Sequence, residues 1–449
     1  MNTMNSEFAA PIIREPGDVD EMTKPAFPTR PVPPVSRMAR GLVGSEILKI
    51  AADIRAMIAE GHSICNLTVG DFDPKYFPIP RELRKSIEAA LEAGETNYPP
   101  SDGMLNLRKA VKSFYERRLG LDYPIESFII TSGARPAIYA TYNVLIDEGD
   151  KVVYPIPSWN NNHYCHLSRA TWQTANCRAE DAFLPTREVL AGTLGDAKLL
   201  SLCSPLNPGG TAFTREALEG ICDLVIDEND RRDPSERPLF IMYDQVYWML
   251  TFGDTAHYNP VSLRPELAAN TIFVDGISKA FAATGVRVGW AVAAPDVAHR
   301  MSNILGHIGA WAPRAEQVAT AALLLDDDAI DGYHAKMISE IETRLRMLYD
   351  GIMELREDGF SLDAIAPMGA IYLTARFNLI GRKTRTGSVL ETNEDIRKYL
   401  LEEARLAIVP FQAFGSQEHT GWFRLSAGAV SIEEIEEMLP RLRDALERL

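Results

Sequence analysis

The sequence is poor in cysteine and has none in motif spacing: five, at 65, 165, 177, 203 and 222, with no CxxC pair. That excludes a disulfide framework and a zinc knuckle, and predicts a protein of a reducing cytoplasm. Positive charge is also scarce, 46 Lys and Arg against 62 Asp and Glu, for a net charge of −16. Such a surface repels phosphate backbones and anionic lipid, so neither nucleic acid nor membrane is expected as a partner. No apolar run reaches the ~18 residues needed to span a bilayer. The opening MNTMNSEFAAPIIREPGDVDE has no apolar core after a basic start, so no signal peptide is expected. The phosphate-binding patterns GxGxxG and GxxxxGK[ST] are absent. No acidic or cysteine cluster completes a site around His163 and His166, which predicts a polar helix face and no metal. Asp326-Asp327-Asp328 reads as a solvated helix end.

What is present is a globular chain. Hydrophobic residues make up 46% of the 449, enough to build a sizeable core. At ~150 residues per domain, two or three domains are expected. Residues 1–36 hold seven prolines, five within Pro25–Pro34, and read as an extended arm, because each proline removes a donor and restricts its predecessor. From Ser36 to Gly61 the spacing turns helical, with Ile47, Ile50, Ala51, Ile54, Met57 and Ile58 on one face and Gly61 as the stop. Further helices are expected at 104–118, 336–356 and 432–448.

Between 127 and 294 short apolar runs alternate with helical stretches: Phe128–Thr131, Lys151–Tyr154, Lys198–Cys203, Leu239–Tyr243, Thr271–Val274 and Val286–Ala293. Runs of this length bounded by Gly, Pro, Asn and Asp predict buried strands, and the alternation predicts an α/β domain with a mostly parallel sheet. Asp227–Pro238 and Arg382–Asp395 look like surface excursions. The expected division is a large domain over 75–332 and a smaller α+β domain built from 37–74 and 333–449.

Ligands of parallel sheets sit beyond the carboxyl ends of the strands, so the residues following each run carry the information. They are Ser132-Gly133-Ala134-Arg135, a small-residue turn opening a helix; Ser158-Trp159; SPLNPGGT with Asn207; Asp244 with Tyr247; and Ser278-Lys279 followed by Arg287. A helix start can seat an anion, an aromatic can stack on a planar ligand, and a buried carboxylate wants a cation. A buried lysine wants a reason, and imine chemistry is one.

Taken in order, SPLNPGGT, YDQVY and SKAFAATGVRVGW resemble the class I aminotransferases of PLP fold type I, the aspartate-aminotransferase-like branch, from about Ser36 to the C-terminus. The resemblance implies a three-layer sandwich and pyridoxal 5'-phosphate as cofactor. Lys279 would hold it as a Schiff base and then act as general base. Asp244 would face the ring nitrogen, with Tyr247 and Asn207 at the 3-oxygen. Gly133, Ala134, Arg135, Ser278 and Arg287 would form the cofactor-binding turns, Trp159 would stack on the ring, and Tyr98 would reach in from the partner subunit of a homodimer. Arg424 would take the substrate α-carboxylate, with Gly70, Asn207 and Trp159 lining the same pocket. Some bacterial relatives have a lysine where Arg135 stands, which makes aspartate or glutamate a candidate substrate. The implied activity is transfer of an amino group from an L-amino acid to a 2-oxo acid. A C–S β-lyase on the same fold and a non-enzymatic PLP-sensing regulator are the alternatives. The second of these lacks a DNA-binding module.

Overall fold

The computed structural model describes residues 35–449 apart from 43 and 45, with the backbone alone at 46–49, 51, 52 and 56. The Pro-rich arm expected over 1–36 therefore lies almost wholly outside the described residues. By contacts the chain divides after Gly41. The first unit is described only by a single exposed helical stretch, Arg37–Gly41, where the Ser36 hydroxyl caps Ala39. The second, residues 42–449, holds everything below.

Its centre is a seven-stranded sheet in the order Phe128–Thr131, Gly289–Val292, Thr271–Gly276, Phe240–Asp244, Ala197–Cys203, Lys151–Ile156, Thr171–Asn176. Gly289–Val292 runs antiparallel to both neighbours, and all other pairs are parallel. Successive side chains of a strand point to opposite faces, and the core divides accordingly. Ile129, Val152, Leu199, Met242, Ile272, Val274 and Ala291 pack with Ala134–Leu145 and Pro295–Ile308. Their sequence neighbours Ile130, Val153, Leu200, Ile241, Tyr243, Phe273 and Trp290 pack with Leu105–Leu119, Arg215–Arg231 and Arg314–Leu324. Two helical layers on one mostly parallel sheet make the expected three-layer α/β sandwich.

A second hydrophobic cluster surrounds a four-stranded antiparallel sheet, in the order Val409–Pro410, Trp422–Ser426, Tyr372–Phe377, Leu362–Ile365. The long helix Asp327–Glu357 buries Ile341, Leu345, Leu348, Ile352 and Leu355 against it, with Ile338 half-buried. Asp326 caps this helix, and Asp327 pairs with Arg117 and Arg118. Among the described residues no helix is long and apolar enough to cross a membrane, and no cluster of three metal-ligating side chains occurs.

Four local expectations need correction. Ile58, expected on the buried face of Glu46–Ala59, is 51% exposed in the last turn before Gly61, while Ile50 and Ile54 are buried. The Val286–Ala293 run is a strand only over Gly289–Val292, because Arg287 sits at φ 61°, a left-handed conformation that no strand accommodates. The Asp227–Pro238 excursion begins later than expected. The Arg215–Arg231 helix takes up its first residues, and the Asn229 amide exchanges two hydrogen bonds with the Leu239 backbone. In the last helix, Ile432–Leu446, Met438 occupies the fully buried position and Leu439 is only half-buried, as a 3.6-residue period requires beside Ile435 and Leu442.

Candidate active site

The carboxyl ends of the central strands open on one cavity of about 520 Å³. Ten of the predicted residues line it: Gly70, Ala134, Arg135, Trp159, Asn207, Asp244, Tyr247, Ser278, Lys279 and Arg287, with Arg424 as an eleventh from the second sheet. The register explains the convergence. Asp244 ends its strand opposite Cys203 on one side and Val274 on the other. Three neighbouring strands thus deliver Asn207, Asp244 and Lys279 to the same rim.

Lys279 lies in the short helix Ile277–Ala280 that follows its strand, and its Nζ donates to the Gly70 carbonyl at 2.6 Å. Burial brings the amine down to about 8; the Asp71 carboxylate pulls the other way, and Arg424, Arg135 and Arg287 add to the fall. Burial pushes the Asp244 carboxyl up to about 6, opposed by the Val246 N–H at 3.2 Å and by the charge of Lys279. An acid and an amine with proton affinities drawn towards neutrality face one cavity, the arrangement that acid–base chemistry needs.

Two arginines offer anion seats. Arg424, on the Trp422–Ser426 strand, is buried and pairs with no carboxylate among the described residues. It donates to Thr68 O at 2.7 Å and Asn207 Oδ1 at 3.1 Å, lies 4.6 Å from the Tyr372 ring, and leaves Nε without a partner. A buried guanidinium without a counter-charge is costly, and a planar carboxylate would meet that need. Arg287 reaches Ser132 O at 2.9 Å and Thr284 O at 2.6 Å, beside the start of the Ala134–Leu145 helix. Gly133 caps that helix at φ 80°, and a Cβ there would stand 2.3 Å from the Arg287 guanidinium. The turn is shaped for close approach of a phosphate to free N–H groups.

Trp159 forms part of the wall next to Phe414, with ring centroids 6.1 Å apart. Arg135 is exposed at the mouth, its guanidinium 5.6 Å from the Trp159 ring. Gly133 stands behind the lining. Tyr98 is outside it, 82% exposed and edge-on to Trp311 at 5.3 Å. Its expected role belongs to a partner subunit.

Sequence reasoning missed Tyr372 and Asp71, and it noted Thr284 after Lys279 without giving it a role. The Tyr372 hydroxyl is 2.7 Å from that of Tyr247, and Thr284 donates to Asp71 Oδ1 at 2.7 Å. Asp71 follows Gly70 in LTVGDFDP, and Thr284 precedes Arg287 in SKAFAATGVRVGW, so position within those motifs could have found both. Tyr372 begins an apolar strand and carries no marker.

The groups present suit pyridoxal phosphate. There is an amine for its aldehyde, a carboxyl for its ring nitrogen, a hydroxyl and an amide for its oxygen, and a guanidinium at a helix start for its phosphate. Residues 62–442 match the profile of the family aminotransferase class I and II, and the chain belongs to that family. The chain is a PLP-dependent transaminase. It is 28% identical over 419 residues to the aspartate aminotransferase of Rhizobium meliloti, covering 93% of this chain and 97% of that one. It is also 28% identical over 416 residues to a probable aspartate/prephenate aminotransferase of Rickettsia felis, covering 92% and 96%. The crystal structure of the Rhizobium meliloti enzyme superposes with a TM-score of 0.84 at 26% identity, covering 92% of this chain and 99% of that one.

Proposed function

We propose that this transaminase takes an acidic L-amino acid, aspartate or glutamate, as donor, with Lys279 as the residue that carries the cofactor and moves the proton. The observation that carries this reading is the cavity itself. One lysine amine, one unpaired buried guanidinium at Arg424 and a second guanidinium at Arg135 on the rim share it. The curated relatives named for aspartate support the substrate class.

Bound pyridoxal phosphate supplies an aldehyde that takes up the amino group and a ring that accepts electrons from the substrate carbon. The chain's own groups do the rest. Asp244 holds a proton on the ring nitrogen. Tyr247, steadied by the Tyr372 hydroxyl, and Asn207 donate hydrogen bonds to the phenolic oxygen. Arg287, Ser278 and the backbone of Gly133 and Ala134 hold the phosphate. Arg424 orients the substrate through its α-carboxylate, and Trp159 packs against the ring. Lys279 would be the base that takes up the proton of the substrate Cα and gives it back.

We also infer a homodimer in which Tyr98 serves the partner's cavity, and a division into a larger domain over 75–332 and a smaller one from 37–74 and 333–449. A cytoplasmic setting agrees with five cysteines that are all free.

The experiment is an absorbance titration of the holoprotein against a panel of amino acids, with borohydride reduction and peptide mapping of the labelled lysine. The expected result is a band that aspartate or glutamate bleaches and a 2-oxo acid restores, and a label on Lys279. A label on another lysine, or bleaching by neutral amino acids alone, refutes the reading.

A further inference from the structure

Four consecutive residues, 68–71, are tied to the cavity floor one after another. Arg424 donates to Thr68 O at 2.7 Å, the Ser426 hydroxyl to Val69 O at 2.6 Å, Lys279 Nζ to Gly70 O at 2.6 Å, and the Thr284 hydroxyl to Asp71 Oδ1 at 2.7 Å. The Phe72 N–H adds a second bond to Asp71 Oδ1 at 2.8 Å. The backbone is also held from behind, because a Cβ on Gly428 would stand 2.2 Å from the Asp71 carbonyl oxygen. The Asp71 carboxylate is thus fixed on the cavity wall, one residue from the carbonyl that holds the Lys279 amine.

Charges around that amine are lopsided. Arg424, Arg135 and Arg287 contribute three cations, and the rings of Phe72 and Tyr247 lie 5.9 Å away. The acids are two, Asp244 and Asp71. In the proposed assignment Asp244 would serve the ring nitrogen. Asp71 is left, and it is the largest influence that favours the charged amine against burial.

We propose that Asp71 is the counter-ion for amines in this cavity, steadying Lys279 and pairing with the α-ammonium of the incoming amino acid while Arg424 takes the carboxylate. The proposal rests on the assignment of Lys279 as the cofactor lysine. It gives Asp71 a positioning role with no bond made to it. A zwitterion meets a positive and a negative group at the two ends of one slot, whereas a 2-oxo acid, lacking the ammonium, gains nothing from the acid.

The test is Asp71→Asn in the holoenzyme, read by pH titration of the imine absorbance and by steady-state kinetics. A nearby opposite charge is worth about one pH unit or more, so the midpoint is expected to fall by about one unit. KM for the amino donor should rise about tenfold, while KM for the 2-oxo acid does not rise. Asp71→Ser should repeat the shift, Asp71→Glu should restore the midpoint, and Thr284→Val, which keeps the charge, should leave it near the wild-type value. A wild-type midpoint in both neutral variants overturns the proposal, as does an equal rise in KM for donor and acceptor. A wild-type holoprotein whose borohydride label falls on a lysine other than Lys279 removes the assignment itself, and the two failures are thereby told apart.

Discussion

The Arg424 guanidinium donates to Asn207 Oδ1 at 3.1 Å, and this bond joins the two sheets across the cavity. It also orients the amide. With its oxygen turned to the arginine, Asn207 has its NH₂ left to donate, the role the proposed function gives it. Asn207→Ala removes both functions. A hydrogen bond to a charged group is worth about 1.5–3 kcal/mol, so kcat/KM for the amino donor is expected to fall between about tenfold and 100-fold. Arg424→Lys should cost at least as much, because a point charge cannot reproduce two-pronged binding. Steady-state kinetics with a fixed acceptor checks both. An unchanged kcat/KM in Asn207→Ala would mean that Arg424 is held by Thr68 and its flanking rings alone.

Gly133 and Arg287 make the second prediction. The φ of 80° at Gly133, and the 2.3 Å that would separate a Cβ there from the guanidinium, leave no room for a side chain. Gly133→Ala should therefore displace Arg287 and weaken cofactor retention by about tenfold or more, beyond a backbone cost of about 1 kcal/mol. Equilibrium dialysis of the refolded apoprotein against pyridoxal phosphate measures it. Affinity equal to wild type would show that the phosphate seat lies elsewhere.

Much of this arrangement is legible in the sequence because chain-local rules govern it. The strands that end at Cys203, Asp244 and Gly276 are continuous apolar runs followed by polar punctuation, and a parallel sheet brings such ends together. What the sequence hides depends on contacts between distant segments. Tyr372 meets Tyr247 across 125 positions, and no local pattern marks that pairing. Arg287 was legible as a residue but not as the break in its strand, since its positive φ is imposed by the turn that meets Gly133. Ile58 follows the helical period yet faces outward, because periodicity says which residues share a face and not where the covering partner ends.

Asp275 supports a prediction about stability. It is buried on the strand that leads to Lys279, and it accepts from Tyr115 Oη at 3.0 Å, Trp248 Nε1 at 2.9 Å and the Gly276 N–H at 2.7 Å. Burial nonetheless pushes it up to about 8, with those donors opposing and the charge of Asp244 adding to the rise. A carboxyl whose folded value lies above its ordinary 3.8 keeps its proton longer in the folded state. Between those two values the unfolded chain binds fewer protons, so stability falls as pH rises. Asp244, raised to about 6, acts in the same direction in the cofactor-free protein. Melting of the apoprotein from about pH 5 to about pH 8.5 should show Asp275→Asn losing less stability over that window than wild type. Parallel curves would mean that the three donors keep Asp275 ionised throughout.

Arg135 bears on the proposed acidic substrate. Its guanidinium lies at the cavity mouth, 5.6 Å from the Trp159 ring, and makes no ion pair among the described residues. An exposed cation gains less from a carboxylate than a buried one, because water screens the pair. Arg135→Ala should therefore lower kcat/KM for aspartate by about tenfold, equivalent to about 1.4 kcal/mol. The value for alanine should move little, since its side chain has no second carboxylate. Arg135→Lys should recover part of the loss, because the charge remains while the planar fork is gone. The ratio of the two specificity constants is the quantity to follow, as it cancels any general damage to the cavity. A ratio identical in wild type and Arg135→Ala would place the selectivity of this enzyme in another residue of the mouth and leave Arg135 as a cation packed on Trp159.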